Sequence, residues 1–182
     1  IKHRKYPNLI YDLPITYEHQ VWCSDTSEFK FHGEKLYLVT IIDLFTRQIV
    51  GGAIGKHHNS KLVLEAIEMA ITVMHTHPEI FHSDQGTEFM AEAITSFLEG
   101  FGTKISASDK ASPWQNGYQE SFFGKFKDEL GDINRFETAG HLIEELYQHI
   151  HYYNTKRIHT ALKMPPAVYA ISLRNLSDKM GT

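Results

Sequence analysis

Three β-rich runs follow one another between residues 21 and 54 before any helical periodicity begins, and this order restricts the fold more than any other feature. The first is Val21-Trp22-Cys23-Ser24-Asp25-Thr26-Ser27-Glu28-Phe29. The second covers residues 35–45 (KLYLVTIIDLF), with Leu36, Leu38, Thr40 and Ile42 on one face, and the third covers residues 49–54 (IVGGAI), after a turn at Thr46-Arg47-Gln48. Short connections between successive β runs predict an antiparallel meander. The texture changes at Asn59-Ser60, both good helix caps, and Val63, Ile67, Ala70, Ile71 and Met74 then recur at helical spacing until Pro78 stops the run. Residues 80–83 read as a short buried strand. Thr87 is the expected cap of a second helix striped by Met90, Ile94, Phe97, Leu98 and Phe101, and residues 103–106 form a fifth strand. Beyond a polar loop at residues 107–113, one helix is predicted over 114–130 and another over 138–154, with Leu142, Leu146, Ile150 and Tyr153 inward. Pro165-Pro166 opens a short helical turn.

The order βββαβαβαα defines an α/β chain with a five-stranded mixed sheet and helices on both faces. At 182 residues it fits one domain. Residues 1–20, with Pro7 and Pro14 and no sustained period, read as an N-terminal arm or linker, residues 21–172 as the core and 173–182 as a C-terminal tail. The chain begins at Ile1 and not Met, which reads as a piece of something longer. No apolar run reaches the ~18 residues of a membrane span, so no membrane association is expected. With Cys23 alone there is no disulfide framework and no thiolate zinc site, which fits a reducing cytoplasm. A net charge of −4 weighs against nucleic acid, since affinity for DNA depends largely on Lys and Arg neutralising phosphates. A site built of carboxylates is acidic by necessity, however.

Three acids stand in revealing positions. Asp25 lies within the first strand, where a charge is poorly tolerated without a partner. Asp84 follows directly on the fourth strand, at the carboxyl end where sheet-and-helix proteins place their ligands. Glu120 shares a helical stripe with Asn116, Gly124 and Lys127, opposite or flanking the apolar Tyr118, Phe122, Phe126 and Leu130. Converging carboxylates persist together only if a proton or a metal compensates them. Oxygen-only ligands select hard cations such as Mg²⁺ or Mn²⁺, and a pair of such ions suits phosphoryl transfer. Taken singly, each acid also has a local reading: edge-strand charge for Asp25, turn residue for Asp84, solvated helix residue for Glu120.

The spacing joins them. Between Asp25 and Asp84 lie 58 residues, and between Asp84 and Glu120 lie 35. This D,D(35)E pattern on a βββαβαβα order resembles the retroviral-integrase-like transposases, and bacterial insertion-sequence transposases most of all. Five blocks carry the resemblance over residues 20–170. They are Val21-Trp22-x-x-Asp25-Thr26, Ile42-Asp43-Leu44-Phe45-Thr46-Arg47-x-Ile49-Val50-Gly51, and His82-Ser83-Asp84-Gln85-Gly86-Thr87-Glu88-Phe89. The others are Ser112-Pro113-x-x-Asn116-Gly117-x-x-Glu120-Ser121-Phe122-Phe123, and Tyr153-Asn154-x-x-Arg157-x-His159-x-Ala161-Leu162 followed by Pro165-Pro166.

The resemblance implies a ribonuclease-H-like fold, Mg²⁺ (or Mn²⁺) as cofactor, and DNA cutting and joining during transposition in the bacterial cytoplasm, at the nucleoid. DNA (element ends and target) and a second copy of the chain are the implied partners. Asp25 is expected to bridge two ions, Asp84 to complete one site and Glu120 the other. Asn116, Lys127, Arg157 and His159 are the candidate DNA contacts, against helix capping for Asn116 and plain solvent exposure for Lys127. Lys156 and Lys163 extend the one basic stretch. Twelve histidines include His149-x-His151, but that pair lies about 200° apart on a helix and cannot share an ion. His82 reads as structural, Cys23 as a small core residue, and Asp43 and Glu88 as the acids most easily mistaken for triad members. Two other functions fit the same pattern: a metal-dependent nuclease that cuts without joining, and a core retired from chemistry and kept for binding DNA or protein.

Overall fold

The computed structural model describes residues 6–108 and 117–181, with the side chains of residues 117–121 outside that description. Its element order is β1 (Val21–Phe31), β2 (Glu34–Asp43), β3 (Ile49–Gly55), α1 (Ser60–Met74), β4 (Ile80–Ser83), α2 (Glu92–Gly100), β5 (Lys104–Ala107), α3 (Gly117–Leu130), α4 (Ala139–Thr155) and α5 (Pro166–Met180). The sheet order is β3-β2-β1-β4-β5. The meander β1-β2-β3 is antiparallel, as expected from its short connections, while β4 lies parallel to both β1 and β5. The sheet is therefore mixed.

Each face carries its own helices. Trp22, Val39, Ile41, Phe81 and Ile105 point to the face covered by α1 and α2, through Val63, Ala66, Ile67, Ile94 and Leu98. Phe29, Phe31, Leu36, Leu38 and Ile42 point to the opposite face and meet Phe122, Phe123, Phe126 and Leu130 of α3 with Leu142 and Leu146 of α4. Strand alternation divides the β1 and β2 side chains between the two layers. Gly51 lets α1 lie directly on β3: a Cβ there would come within 2.6 Å of both the Ala66 carbonyl oxygen and the Ala70 Cβ.

Side chains cap two helices, at Asn59 as the sequence suggests and also at Thr138. The Asn59 side chain accepts from Leu62 N (3.1 Å), and Thr138 Oγ1 accepts from His141 N (3.2 Å). Four expectations need correction. α1 ends at Met74, ahead of Pro78, because His75 turns into the left-handed region (φ 54°). Thr87 does not cap α2, which starts at Glu92 after Ala91; Gly86 O instead accepts from both Phe89 N and Met90 N and closes a turn over residues 86–90. The stretch after Pro165 is a 15-residue helix and not a short turn. Pro166 sits in its first turn, where a missing N–H costs nothing. Only Pro166 and Ala170 are buried along it, so its sequence lacks the broad apolar stripe by which helices are recognised. α5 also continues through residue 173, where the tail was expected to begin.

Residues 6–20 pack as part of the body. Leu9, Ile10, Leu13 and Ile15 lie against Val21, Cys23, Leu44 and Ile80, and Cys23 is the core residue its sequence position suggested. Ala107 N donates to Pro7 O (3.0 Å) and Leu9 N to Ser106 Oγ (2.9 Å), so the arm is bonded to the edge strand β5. Among the described residues no helix is long and apolar enough to cross a membrane.

At the other edge, Asn154 of α4 acts on β3 as a neighbouring strand would. Its Oδ1 accepts from Ile49 N (2.9 Å) and its Nδ2 donates to Ile49 O (2.8 Å). Tyr153 beside it donates to Arg47 O (3.1 Å), fixing α4 to the β2–β3 turn. Replacing Asn154 by alanine strands both main-chain groups of Ile49, and urea unfolding should show a loss of about 2 kcal/mol.

Candidate active site

Asp25 and Asp84 come together through strand register. β1 and β4 pair in parallel as Val21↔Ile80, Trp22↔Phe81 and Cys23↔His82. Continued two places past its last pair, the same register directs Asp25 and Asp84 toward the same end of the two strands. Alternation also gives both acids one face. Asp25 follows Cys23, and Asp84 follows Ile80 and His82, on the side where α3 packs.

Both carboxylates are partly buried and oriented by main-chain donors. Asp25 Oδ1 accepts from Thr26 N (2.8 Å), and Asp84 Oδ1 accepts from Gly86 N (2.8 Å), which closes an Asx turn directly after β4. The loop behind Asp84 is tied to β5, since Ser108 N donates to Ser83 O (3.0 Å) and Gln85 Nε2 to Ser108 O (3.1 Å). Phe89, 2 % exposed, anchors its far end in the core.

The backbone of Glu120 belongs to α3, and packing sets its level. Lys127 Nζ donates to Glu28 O (3.1 Å) and stands 5.1 Å from the Phe29 ring centroid. Past the ends of both elements, His32 N donates to Asn134 Oδ1 (2.8 Å), so α3 and β1 run in the same general direction. Seven residues back from Lys127 is roughly 10 Å of helix, and three back from Glu28 is roughly 10 Å of strand. This directs the backbone of Glu120 toward the part of β1 that holds Asp25. Asn116 lies outside the described residues.

The remaining candidates occupy defined places. Lys127 keeps donor capacity beyond its bond to Glu28. Arg157 Nη1 pairs with Glu129 Oε1 of α3 (2.8 Å). His159 forms an isolated bridge with Met164, donating its N–H to Met164 O (3.1 Å). Burial, then the charges of Arg47, Lys125 and Arg157, lower the His159 pKa, so its ring is neutral at pH 7 and brings a hydrogen bond but no charge. His82 is fully buried, with Nδ1 2.8 Å from Ser106 Oγ and its pKa lowered to about 4 by burial. It connects β4 to β5 and, through Ser106, to the arm. Among the described residues, the acids Asp25, Asp84 and Glu88 included, no three His, Cys, Asp or Glu side chains form a metal cluster.

The two acids most easily mistaken for triad members differ sharply. Asp43 is fully buried and belongs to a turn: Oδ1 accepts from Phe45 N and Thr46 N (both 2.9 Å), and Oδ2 from His19 N (2.6 Å). Glu88 is beside Asp84. A Cβ built on Gly86 would lie 2.5 Å from Glu88 Oε1 and 2.8 Å from Asp84 Oδ1, so the two carboxylates share the space a side chain would fill. Sequence gave little signal for this beyond the i, i+4 spacing of the two acids across Gly86. The side chains of Asp84 and Glu88 offer oxygen donors only, the donor type that suits a hard cation over a soft one.

Two profiles described as Integrase core domain match this chain, over residues 16–113 and 101–166. It is 35% identical over 159 residues to the transposase for insertion sequence element IS904 of Lactococcus lactis, covering 86% of this chain and 63% of that protein. It is 34% identical over 152 residues to an uncharacterized transposase-like protein of Haemophilus influenzae, covering 84% of this chain and 70% of that protein. Against InsK of insertion sequence element IS150 from Escherichia coli, it is 31% identical and spans 86% of itself and 56% of the relative. Among solved structures, the HTLV-2 integrase catalytic core domain in complex with magnesium superposes with a TM-score of 0.68 at 17% identity, over 83% of this chain and 95% of that one. The BIV integrase catalytic core gives 0.62 at 17% identity, over 89% and 99%. These likenesses show the ribonuclease-H-like α/β fold. By its own sequence, the chain belongs to the integrase core domain family, among the transposases of bacterial insertion sequences.

Proposed function

We propose that this chain is the catalytic core of a DNA transposase, cutting one strand at an element end and joining that end to target DNA. The observation that supports the reading is the parallel register of β1 and β4, which directs Asp25 and Asp84, with 58 residues between them in sequence, toward the same end of two adjacent strands. Asp25, Asp84 and Glu120 would hold Mg²⁺ or Mn²⁺, consistent with the magnesium in the HTLV-2 relative. When bound, the ions supply electrostatic stabilisation at the phosphorus and help deprotonate the attacking hydroxyl.

Two displacements follow in order. In the first, water attacks a phosphorus at the element end, a P–O bond breaks, and a 3′-hydroxyl is freed. In the second, that hydroxyl attacks a target phosphodiester. One P–O bond forms, one breaks, and the displaced target strand leaves with its own 3′-hydroxyl. Strand number is conserved and no covalent enzyme intermediate is needed. Asp25 and Asp84 orient the site through their main-chain hydrogen bonds, so little reorganisation is required.

Lys127, Arg157, His159 and Asn116 are the proposed phosphate or sugar contacts, with His159 acting as a neutral partner. Element ends and target DNA are the proposed substrates, the bacterial nucleoid the place of action, and a homo-oligomer the unit that brings two ends together. The chain spans 63% and 56% of the length of two of its relatives. The test is incubation with a labelled, pre-cut element end, a plasmid target and Mn²⁺. Label covalently joined to plasmid supports a transposase. Label released only as shorter fragments supports the nuclease reading, which the placement of Glu88 beside Asp84 favours over retirement from chemistry.

A further inference from the structure

Glu88 is not one of the three acids that define the site, yet it is held against one of them from two directions. Its Oε1 lies 2.9 Å from His58 Nε2, and the pair is only partly exposed, 36 % for His58 and 15 % for Glu88. The His58 ring is stacked on Tyr37 of β2, with centroids 5.2 Å apart and planes at 15°. The other oxygen, Oε2, is within 3.4 Å of Thr87 Oγ1. The carboxylate is thus fixed from the sheet by Tyr37 and His58, and from its own loop by Thr87.

What it is fixed against is the Gly86 gap. Glu88 Oε1 and Asp84 Oδ1 both crowd the position of a Cβ at residue 86, at 2.5 and 2.8 Å. Asp84 cannot retreat, because that same Oδ1 accepts from Gly86 N (2.8 Å). Left alone, Glu88 would swing away, since two carboxylates repel. His58 keeps it in place.

Building on the metal-dependent reading above, we propose that Glu88, clamped by His58, is a positioning residue for the divalent ion at Asp84. Its charge raises the cation affinity of Asp84, and its fixed oxygen orients the Asp84 carboxylate or a water beside it. The clamp also keeps Glu88 from becoming a direct ligand. Outer groups of this kind commonly change metal affinity by about 10- to 100-fold when removed. Nothing in the arrangement asks Glu88 to touch DNA or the reacting phosphorus.

The test is Mn²⁺ binding, read from the EPR signal of the free ion, on the chain and on Glu88→Gln, His58→Ala, the double variant and Asp84→Asn. Glu88→Gln is nearly isosteric, and thermal melting serves as its fold control. The expected result is roughly tenfold weaker Mn²⁺ binding for Glu88→Gln. His58→Ala should weaken it in the same direction, and the double variant should be no worse than Glu88→Gln, because the histidine acts only through the glutamate. Strand cleavage by Glu88→Gln should then fall at limiting Mn²⁺ and recover as Mn²⁺ is raised. Binding lost in Asp84→Asn but unchanged in Glu88→Gln overturns this inference and leaves the metal site standing. Additive losses in the double variant overturn the clamp. An unaltered chain that takes up no Mn²⁺ overturns both the clamp and the metal-dependent reading.

Discussion

Asp84→Asn is expected to lose strand cleavage and strand joining together, by at least roughly a thousandfold, while melting at the same temperature or slightly higher. The size follows from electrostatics. A cation that stabilises the transition state contributes several kcal/mol, and about 4 kcal/mol corresponds to a factor of a thousand in rate. The unchanged stability follows from geometry. Asparagine keeps an oxygen for Gly86 N, so the Asx turn after β4 survives. It also removes one of two negative charges crowded at Gly86, which relieves a repulsion that the fold otherwise carries. A gain of 1 kcal/mol would raise the melting temperature by about 2–4 °C in a chain of this size. Rates of joining on a pre-cut end and a thermal melt decide the matter in one preparation. Joining that survives in the variant sinks the assignment of Asp84. A melt that falls steeply instead makes Asp84 a structural turn residue, and the loss of activity would then say nothing about chemistry.

The sequence made the strands legible because their alternation and short connections are local signals. The positions of Asp25 and Asp84 were legible for the same reason: one lies within a strand and the other directly follows one. What alternation could not supply was the partner across the sheet. The pairing of β1 with β4 spans 58 residues between the acids and depends on α1 packing over the meander, a tertiary fact. The misplaced start of α2 has a similar origin. Thr87 has the composition of a cap, but Gly86 O captures the N–H groups of Phe89 and Met90, and the turn wins over the helix. α5 was undersized because so little of it is buried. Asn154 was seen as part of a family tail, while its bonds to Ile49, on a strand 105 residues away, needed the fold. Glu88 shows the limit most clearly. Its partner His58 sits on the loop before α1, and no periodicity links the two.

Asp43→Ala is expected to be the most destabilising single change at any acid among the described residues, by about 3–5 kcal/mol, without direct effect on the reaction. The Asp43 carboxylate is fully buried and takes N–H groups from Phe45, Thr46 and His19, the last from the arm, so one side chain ties the β2–β3 turn to the arm. Alanine leaves three donors without an acceptor, and each costs about 1–3 kcal/mol if no water replaces it. Asparagine is only a partial remedy, since its amide nitrogen must face one set of donors. Burial by itself would raise the Asp43 pKa, but the hydrogen bonds from His19 and Thr46 and the nearby His19 ring outweigh it, and the net shift is downward from 3.8. A carboxylate depressed on folding adds stability that is fully present above its unfolded pKa and lost as pH falls through the lower, folded value. The difference in unfolding free energy between the unaltered chain and Asp43→Ala should therefore hold constant from pH 7 down to about 5 and shrink in more acidic solution. Urea titrations across that range measure it. A variant that kept its stability yet lost strand transfer would move Asp43 out of the turn and into the chemistry, and the three-acid assignment would have to be redrawn around it.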